Sequence, residues 1–598
     1  MYLIIIVIYS NMPGGLLNLI AYGRLNIILN GNPSKSFFKT SYAKYTNFGL
    51  QKFRIDYKDL NALRLTDDAV FEFKVTNNAD LLMDTYFVVK LPNIWSPIYI
   101  SENYKDTSFC QPYEFKWIEN LGAQLIRRVR YLIDGQIIQE FTGQYLYSMV
   151  QRDFSKDKKE LFDKMIGNVA ELNDPANFSN RNGNYPNASY MGCTQSDFPN
   201  GIQPSILGYD LFVPLNIWST LSSKMAFPLT ALQYNNLHIQ IECRPIQELF
   251  VVRDMDYFNH WVSRHPSSKS PDYEIYDCPY ISPNFNDQKY QMYYFLQEPP
   301  TGKDEDEIGG VLGTKNDEQY YINNSGQWMS DIHLMATFCY LSEEERRVFS
   351  GKPQKYLIKE VSEDIKYNVS GRQRAEINSQ GLVSSWMWFF QRSDVSLRNQ
   401  WSNYTNWEYN HIPYPVVSVF DISNNYNSLS HSEAHYSQCP TTYTYNNMQI
   451  SGPLRIENRK NIMTEWGLLC DGKLRETVFP DGVVNLIEKY IRTAGNAKDG
   501  LYCYNFCLNT DPFVLQPSGA MNLSKFSKVE FEFSTILPYD VSGVSAQIPV
   551  LCDATGNIIG IHNPNWKDYE YSYNLHIMEE RYNILSFESG MARLMFSR

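Results

Sequence analysis

The sequence is short of positive charge. Its 53 Lys and Arg stand against 65 Asp and Glu, a net charge of −12, so it lacks the basic footprint with which proteins grip a phosphate backbone. Direct nucleic-acid binding is therefore not expected. The small basic clusters Arg127-Arg128-Val129-Arg130 and Arg372-Gln373-Arg374 read as solvated strand positions. Cysteine is sparse as well: 10 residues scattered over 598 make no disulfide framework, and they fit free thiols in a reducing compartment. Cys503 and Cys507 are the closest pair, and on an extended chain they stand about 13 Å apart, too far for a bridge. No apolar run reaches the roughly 20 residues of a membrane-spanning helix. Met1 to Ser10 is apolar but short and has no basic residue before it, unlike a signal peptide. The sequence also has no GxxxxGK[ST], no HExxH and no paired CxxC sites, which removes the strongest signals for phosphate-loop, zinc-protease and zinc-cluster chemistry.

What is abundant is aromatic: 15% of the chain, with 44 Tyr and 33 Phe, a composition that favours strands. At 598 residues the chain exceeds a single core, and two large β units fit. The clearest strand signals lie between Gly500 and Ser534. In Val529-Glu530-Phe531-Glu532-Phe533 the apolar residues fall on every second position, which turns three into a core and both glutamates into water. Leu501 to Leu508 reads as a strand with both faces covered. Asn509 to Pro512 and Gln516 to Gly519 carry turn chemistry between the two, so the stretch reads as strand, turn, strand at a sandwich edge. Phe71 to Val75 alternates, Leu81 to Leu91 is dense enough for a strand covered on both sides, and Asp134-Gly135 marks a hairpin. Gln144 to Met165 reads as one or two short surface helices. Asn173 to Pro204 reads as loop, residues 246 to 327 as an insertion, and 421 to 447 as an exposed loop.

Few residues offer chemistry. Gly309-Gly310-Val311-Leu312-Gly313-Thr314-Lys315 has part of a phosphate-loop pattern, but its spacing is too short and no apolar strand precedes it, so a loop tip is the simpler reading. His431, His435 and Cys439 stand four apart and offer soft zinc ligands, yet no fourth ligand is near and a solvated loop accounts for them. His238 alternates with Leu237 and Ile239 and reads as an exposed strand residue. Glu530 with Glu532 is a carboxylate pair of the kind glycosidases use, but the wet face of a strand explains both. The Trp and Tyr residues in 401 to 409 fit either sugar stacking or subunit contacts. Asn177, Asn187, Asn323, Asn368, Asn403 and Asn522 are in N-x-[ST] sequons, as chance provides in an Asn-rich chain. No catalytic, cofactor-binding or metal residues are assigned, and no cofactor is expected.

Several stretches resemble one family. NFCLNTDPFVLQPSGAMNLSKF is similar to the penultimate block of the major capsid proteins of nucleocytoplasmic large DNA viruses, with its QPSG turn followed by N-x-S. GGLLNLIAYGRLNIILNGNPSKSFFKTSYAKYTNF, WIENLGAQLIRRVRYLIDGQIIQEF, FPLTALQYNNLHIQIECRP, WMSDIHLMATFCYLSEEERRVF and the closing YNILSFESGMARLMFSR resemble it in order. The resemblance implies an all-β chain of two consecutive eight-stranded jelly-roll sandwiches with long loop insertions and a few short helices. It places an N-terminal arm at 1–36, a first jelly roll at 37–351 and a second at 352–598, the boundary near Gly351. Met12 opens the family-like start, so residues 1–11 are expected to be an upstream extension, the other reading being a hydrophobic arm used in contacts. The resemblance further implies a homotrimeric capsomer that meets neighbouring capsomers and minor capsid proteins in an icosahedral virion, assembled in host cytoplasm without catalysis. The alternatives are a capsid-like scaffold or minor capsid protein, and a carbohydrate-binding β-sandwich protein.

Overall fold

The computed structural model describes residues 14–58, 61–76, 79–100, 110–188, 202–254, 280–287, 290–299, 311–312, 325–407, 442–445, 448–451, 459–538, 550–552, 558–561 and 571–596. The chain divides into a small unit, Met1–Phe48, and a large one, Gly49–Arg598. In the small unit, helix Ile27–Asn30 and the 3-10 turn Arg24–Asn26 before it bury no residue.

The first set of core strands is β1 (Phe48–Asp56), β2 (Ala69–Val75), β3 (Leu81–Lys90), β4 (Ile126–Ile133), β5 (Gln136–Phe141), β6 (Asp210–Pro214), β7 (Phe227–Pro228), β8 (Leu237–Cys243) and β9 (Ile332–Leu341). They form two facing sheets. One runs β1-β9-β3 with β6 and β7 sharing the far side of β3, and the other runs β2-β8-β4-β5. The second set is β10 (Gln354–Val369), β11 (Arg372–Glu376), β12 (Leu382–Arg392), β13 (Met463–Cys470), β14 (Lys473–Pro480), β15 (Leu501–Asn505), β16 (Met521–Asn522), β17 (Val529–Thr535), β18 (Tyr573–Glu588) and β19 (Met591–Leu594). It repeats the arrangement: β10-β18-β12-β15 in one sheet, and β11-β17-β13-β14 in the other. Each half is a jelly roll, four strand positions facing four, so the chain is a double jelly roll.

Period-two patterning builds both cores. Val75, Phe73 and Phe71 lie opposite Leu237, Ile239 and Ile241 across the β2–β8 ladder, and all six are buried. In the second sandwich Phe531 lies 5.2 Å from Trp386, 5.1 Å from Trp388 and 5.2 Å from Trp466 by ring centroid. The Asp134-Gly135 hairpin forms as expected, with φ of +51° and +82° at the two turn residues, the left-handed pair that a two-residue turn requires.

The structure corrects four expectations. Leu501–Asn505 and Val529–Thr535 do not pair with each other but lie in opposite sheets, and β17 sits between β11 and β13 rather than at an edge. Glu532 is not in water, because Arg372 and Arg374 from β11 cover it at 2.7 and 3.1 Å, and Lys528 reaches Glu530 at 2.7 Å. The helix Gly143–Asp153, α1, is buried over nearly its whole length rather than lying on the surface. The described parts of 246–327 are not outward loop: Phe250, Val252, Tyr290 and Met292 to Phe295 are core.

Candidate functional site

In a chain without a catalytic signature, a dense network of buried charge among the described residues lies at the junction between the two sandwiches. α1 starts directly after β5. Thr142 caps it, accepting from the Tyr145 amide at 3.1 Å, and the same threonine donates its own amide and hydroxyl to Glu363 of β10 at 2.9 and 3.0 Å. The cap thus joins the two halves at the helix start. Glycine is required at 143, since a Cβ there would lie 1.9 Å from the Ala123 carbonyl oxygen.

At its other end α1 delivers Arg152 and Asp153 onto the outward face of the β10-β18-β12-β15 sheet. Arg152 is 1% exposed. Its Nε and Nη2 grip Asp153 at 2.9 and 2.6 Å, Nη2 also reaches Glu580 of β18 at 2.8 Å, and Nη1 donates to Ser385 Oγ of β12 at 3.3 Å. Glu580 further accepts from Tyr145 at 3.0 Å and Ser385 at 2.9 Å, with the Lys359 ammonium 4.0 Å away. Asp153 accepts from Thr510 at 2.6 Å. Two cations and two carboxylates therefore balance inside the junction, as buried charges must. Burial alone would raise the Glu580 carboxyl, but Arg152 and Lys359 hold it below its ordinary value. For Asp153 burial prevails over Arg152 and the shift is upward. Burial also pushes Glu363 up to about 7.

Around this network the apolar packing is continuous. Val361, Met387, Phe389 and Met578 face outward from the second sandwich and belong to the same core as the first. The segment after β12 clasps the other side: Asn399 donates to the Gln247 and Phe250 carbonyls at 2.7 and 2.9 Å, and Trp401 Nε1 to the Glu248 carbonyl at 2.9 Å. Arg244 lies over the Trp401 ring at 4.5 Å, and Tyr404 stacks on Phe389 at 3.8 Å. A cavity of about 70 Å³ remains, lined by Tyr145, Arg152, Trp218, Lys359, Glu580 and Tyr582 among others. It has room for a few waters.

The residues singled out from sequence fare differently. Trp401 and Tyr404 are not exposed stacking platforms: Tyr404 is fully buried and both hold the junction. Tyr409, the His431, His435 and Cys439 set, and the Gly309, Gly310, Gly313, Thr314 and Lys315 positions lie outside the described residues. His238 is half-buried and hydrogen-bonds Glu72 at 2.7 Å across the β2–β8 ladder. The Arg127 to Arg130 cluster is neutralised by Asp68, Glu140 and Glu248. Among the described residues no group of three or more His, Cys, Asp or Glu is placed to hold a metal, and no helix is long and apolar enough to cross a membrane. Sequence reading missed Arg152, Asp153 and Glu580. The signal was there in Met578-Glu579-Glu580-Arg581, charge in the middle of an otherwise apolar strand.

The double jelly roll defines the class of protein, and comparison with known proteins narrows it. Residues 36–282 match the family model described as major capsid protein N-terminus. The major capsid protein of Phaeocystis pouchetii virus is 31% identical over 41% of this chain and 44% of its own length. Probable capsid protein 4 of Acanthamoeba polyphaga mimivirus is 21% identical over 87% of this chain and 92% of its own length. The Faustovirus major capsid protein shares the fold with a TM-score of 0.55, at 10% identity, over 95% of this chain and 94% of its own. The chain thus spans less than half of the Phaeocystis virus relative. Over residues 36–282 it resembles the amino-terminal part of major capsid proteins, and its fold resembles that of the double jelly-roll major capsid proteins of large DNA viruses.

Proposed function

We propose that the chain is a shell-building subunit, a major capsid protein that trimerises into pseudo-hexagonal capsomers tiling an icosahedral virion. The observation that carries the reading is the junction: α1 of the first sandwich fills the outward face of the second, with a balanced buried ion network and a shared core, so the two sandwiches act as one block. A tile needs a fixed angle between its wedges. In this reading the first jelly roll runs from 37 to 351 and the second from 352 to 598, neighbouring capsomers and minor capsid proteins are the partners, assembly takes place in the host cytoplasm, and no catalysis is involved. The burial of Tyr404 and the clasping role of Trp401 count against a sugar-binding platform at 401–409.

The test is the native mass of the purified protein followed by imaging of the same fraction. A trimer of about three times 69.6 kDa with a hexagonal outline is the expected result. A monomer that never associates at high concentration would sink the reading.

A further inference from the structure

A buried lysine sits where the first sandwich meets a loop of the second. Lys159 lies in the helix Lys156–Met165 and is 8% exposed, yet among the described residues it makes no ion pair. A buried ammonium without a carboxylate against it is costly. Its amine donates instead to the Gln151 carbonyl at 2.5 Å and to the side-chain carbonyl of Asn496. The loop that carries Asn496 is fixed onto the end of α1, where the Gly495 and Ala497 amides donate to the Arg152 and Gln151 carbonyls at 2.9 and 2.8 Å. The approach is close enough to need glycine at 495, where a Cβ would lie 2.6 Å from the Arg152 carbonyl oxygen. One carbonyl, that of Gln151, thus holds both the lysine amine and the backbone next to Asn496.

These are the surroundings of a nucleophile rather than of an anchor. Burial pushes the Lys159 amine down to about 8, against the pull of Asp153 and Asp163, and the Lys489 ammonium acts in the same direction as burial. Desolvation and a neighbouring cation are two ways in which a lysine becomes nucleophilic near neutral pH, and at pH 7 roughly one such amine in ten is uncharged. Lys489 is itself 7% exposed and donates to Asn485 at 2.7 Å. Asp163 stands one turn beyond Lys159 on the same helix face, an i,i+4 pair, and burial raises its carboxyl. Asn496 is exposed, which leaves its amide open to water. An amine and a carboxamide are therefore held in contact by fixed backbone, and fixed contact between reacting groups is worth a large effective concentration.

We propose that Lys159 and Asn496 join in an intramolecular isopeptide bond, a covalent staple between the two sandwiches. In the step the uncharged amine keeps its bond to Gln151 and turns its lone pair onto Cγ of Asn496. The Nζ–Cγ bond forms and the Cγ–Nδ2 bond breaks. The proton lost by Nζ passes to Nδ2 with the Asp163 carboxylate as relay, and ammonia leaves into water. An amine and a primary amide thus become one secondary amide and one ammonia, and no oxidant or cofactor enters. The link ties the helix Lys156–Met165 to the loop after the helix Glu488–Arg492. It spans 337 positions of sequence, and in the chain-entropy view long closed loops restrict the unfolded state most. The step takes place within one chain and stands independently of the shell-subunit reading.

The experiment is intact mass and peptide mapping of the full chain, fresh and after incubation at pH 8, the amine's own value. Expected is a species lighter than the sequence by one ammonia and, after digestion, a branched peptide in which Lys159 is joined to Asn496. It accumulates about tenfold faster at pH 7 than at pH 6, as the uncharged amine does. Lys159→Arg and Asn496→Ala are each expected to abolish both signals, and Asp163→Asn to slow their appearance by a factor of about 100 or more. Where Lys159→Arg does not yield soluble protein, Asn496→Ala, at an exposed position, carries the same comparison. Full mass and no branched peptide after incubation overturn the proposal. So does a loss of ammonia that persists in Lys159→Arg or Asn496→Ala, since that marks ring closure at another asparagine or at Asn496 alone.

Discussion

Replacing Arg152 with methionine keeps most of the side-chain stem and removes the charge that the junction is built around. Four hydrogen bonds go with it: two to Asp153, one to Glu580 and one to Ser385. Two carboxylates then remain buried, with Lys359 at 4.0 Å from Glu580 as the nearest cation. Breaking a buried pair by removing one partner costs about 3–5 kcal/mol, since the other charge is left uncompensated. For a sandwich of this size that is a drop of roughly 10 °C in the unfolding midpoint. The decisive comparison is Arg152→Met with Glu580→Met in one chain. If the cost arises from stranded charge, the double variant recovers part of it, and the double-mutant cycle gives a coupling of at least about 1 kcal/mol. Calorimetry at neutral pH reads all three variants. A single variant within about 1 kcal/mol of wild type, or strictly additive effects, would refute the argument that these ions hold the junction.

Three further outcomes are expected. Glu363, pushed up to about 7 by burial, holds its proton longer in the folded state than in the unfolded, so its contribution to stability is present at acidic pH and is lost as pH rises through 7. Glu363→Gln keeps an acceptor for the Thr142 amide and should flatten that part of the profile, its advantage over wild type growing between pH 5 and 8; parallel profiles would contradict this. Gly143→Ala should cost about 3 kcal/mol or more through overpacking, because its Cβ meets the Ala123 and Ile126 carbonyl oxygens at 1.9 and 2.4 Å, whereas Gly482→Ala, with nothing within 4 Å, should be nearly neutral; equal midpoints for the two would rule the clash out. Phe531→Ala should lose about 3–5 kcal/mol, since the ring touches all three tryptophans of the second core, and denaturant unfolding measures it.

What could be read from sequence follows from how local each feature is. Alternation places Val529, Phe531 and Phe533 inward without knowledge of the partner strands, because side-chain direction is a property of one strand alone. The Asp134-Gly135 turn is local too. Strand pairing is not: β17 finds β11 and β13, far off in sequence, while β15 goes to the opposite sheet, so two adjacent strand patterns read wrongly as one edge. The same distance hides Glu532, whose cover comes from Arg372 and Arg374. The charged SKDKKE run beside α1 points to a surface helix, though that run belongs mainly to the next helix, Lys156–Met165. The part of 246–327 that enters the core is rich in tyrosine and proline, a composition shared by loops and by packed irregular segments.

The charges at the junction bear on its role more than on its strength. An apolar helix on an apolar sheet face tolerates small slides and rotations, because dispersion and hydrophobic contact are nearly non-directional. Arg152 is not tolerant. Its guanidinium fork fixes two directions at Asp153 and points a third at Glu580, and these lie on different halves of the chain. Thr142 and Glu363 fix the other end of the same helix. Two directional anchors, one at each end of α1, leave one angle between the sandwiches. Replacing the ions with well-packed apolar residues would be neutral or stabilising on energy alone, so their presence is explained better by orientation than by stability. If its copies close a ring, as proposed above, the subunit needs that angle held more tightly than its fold requires.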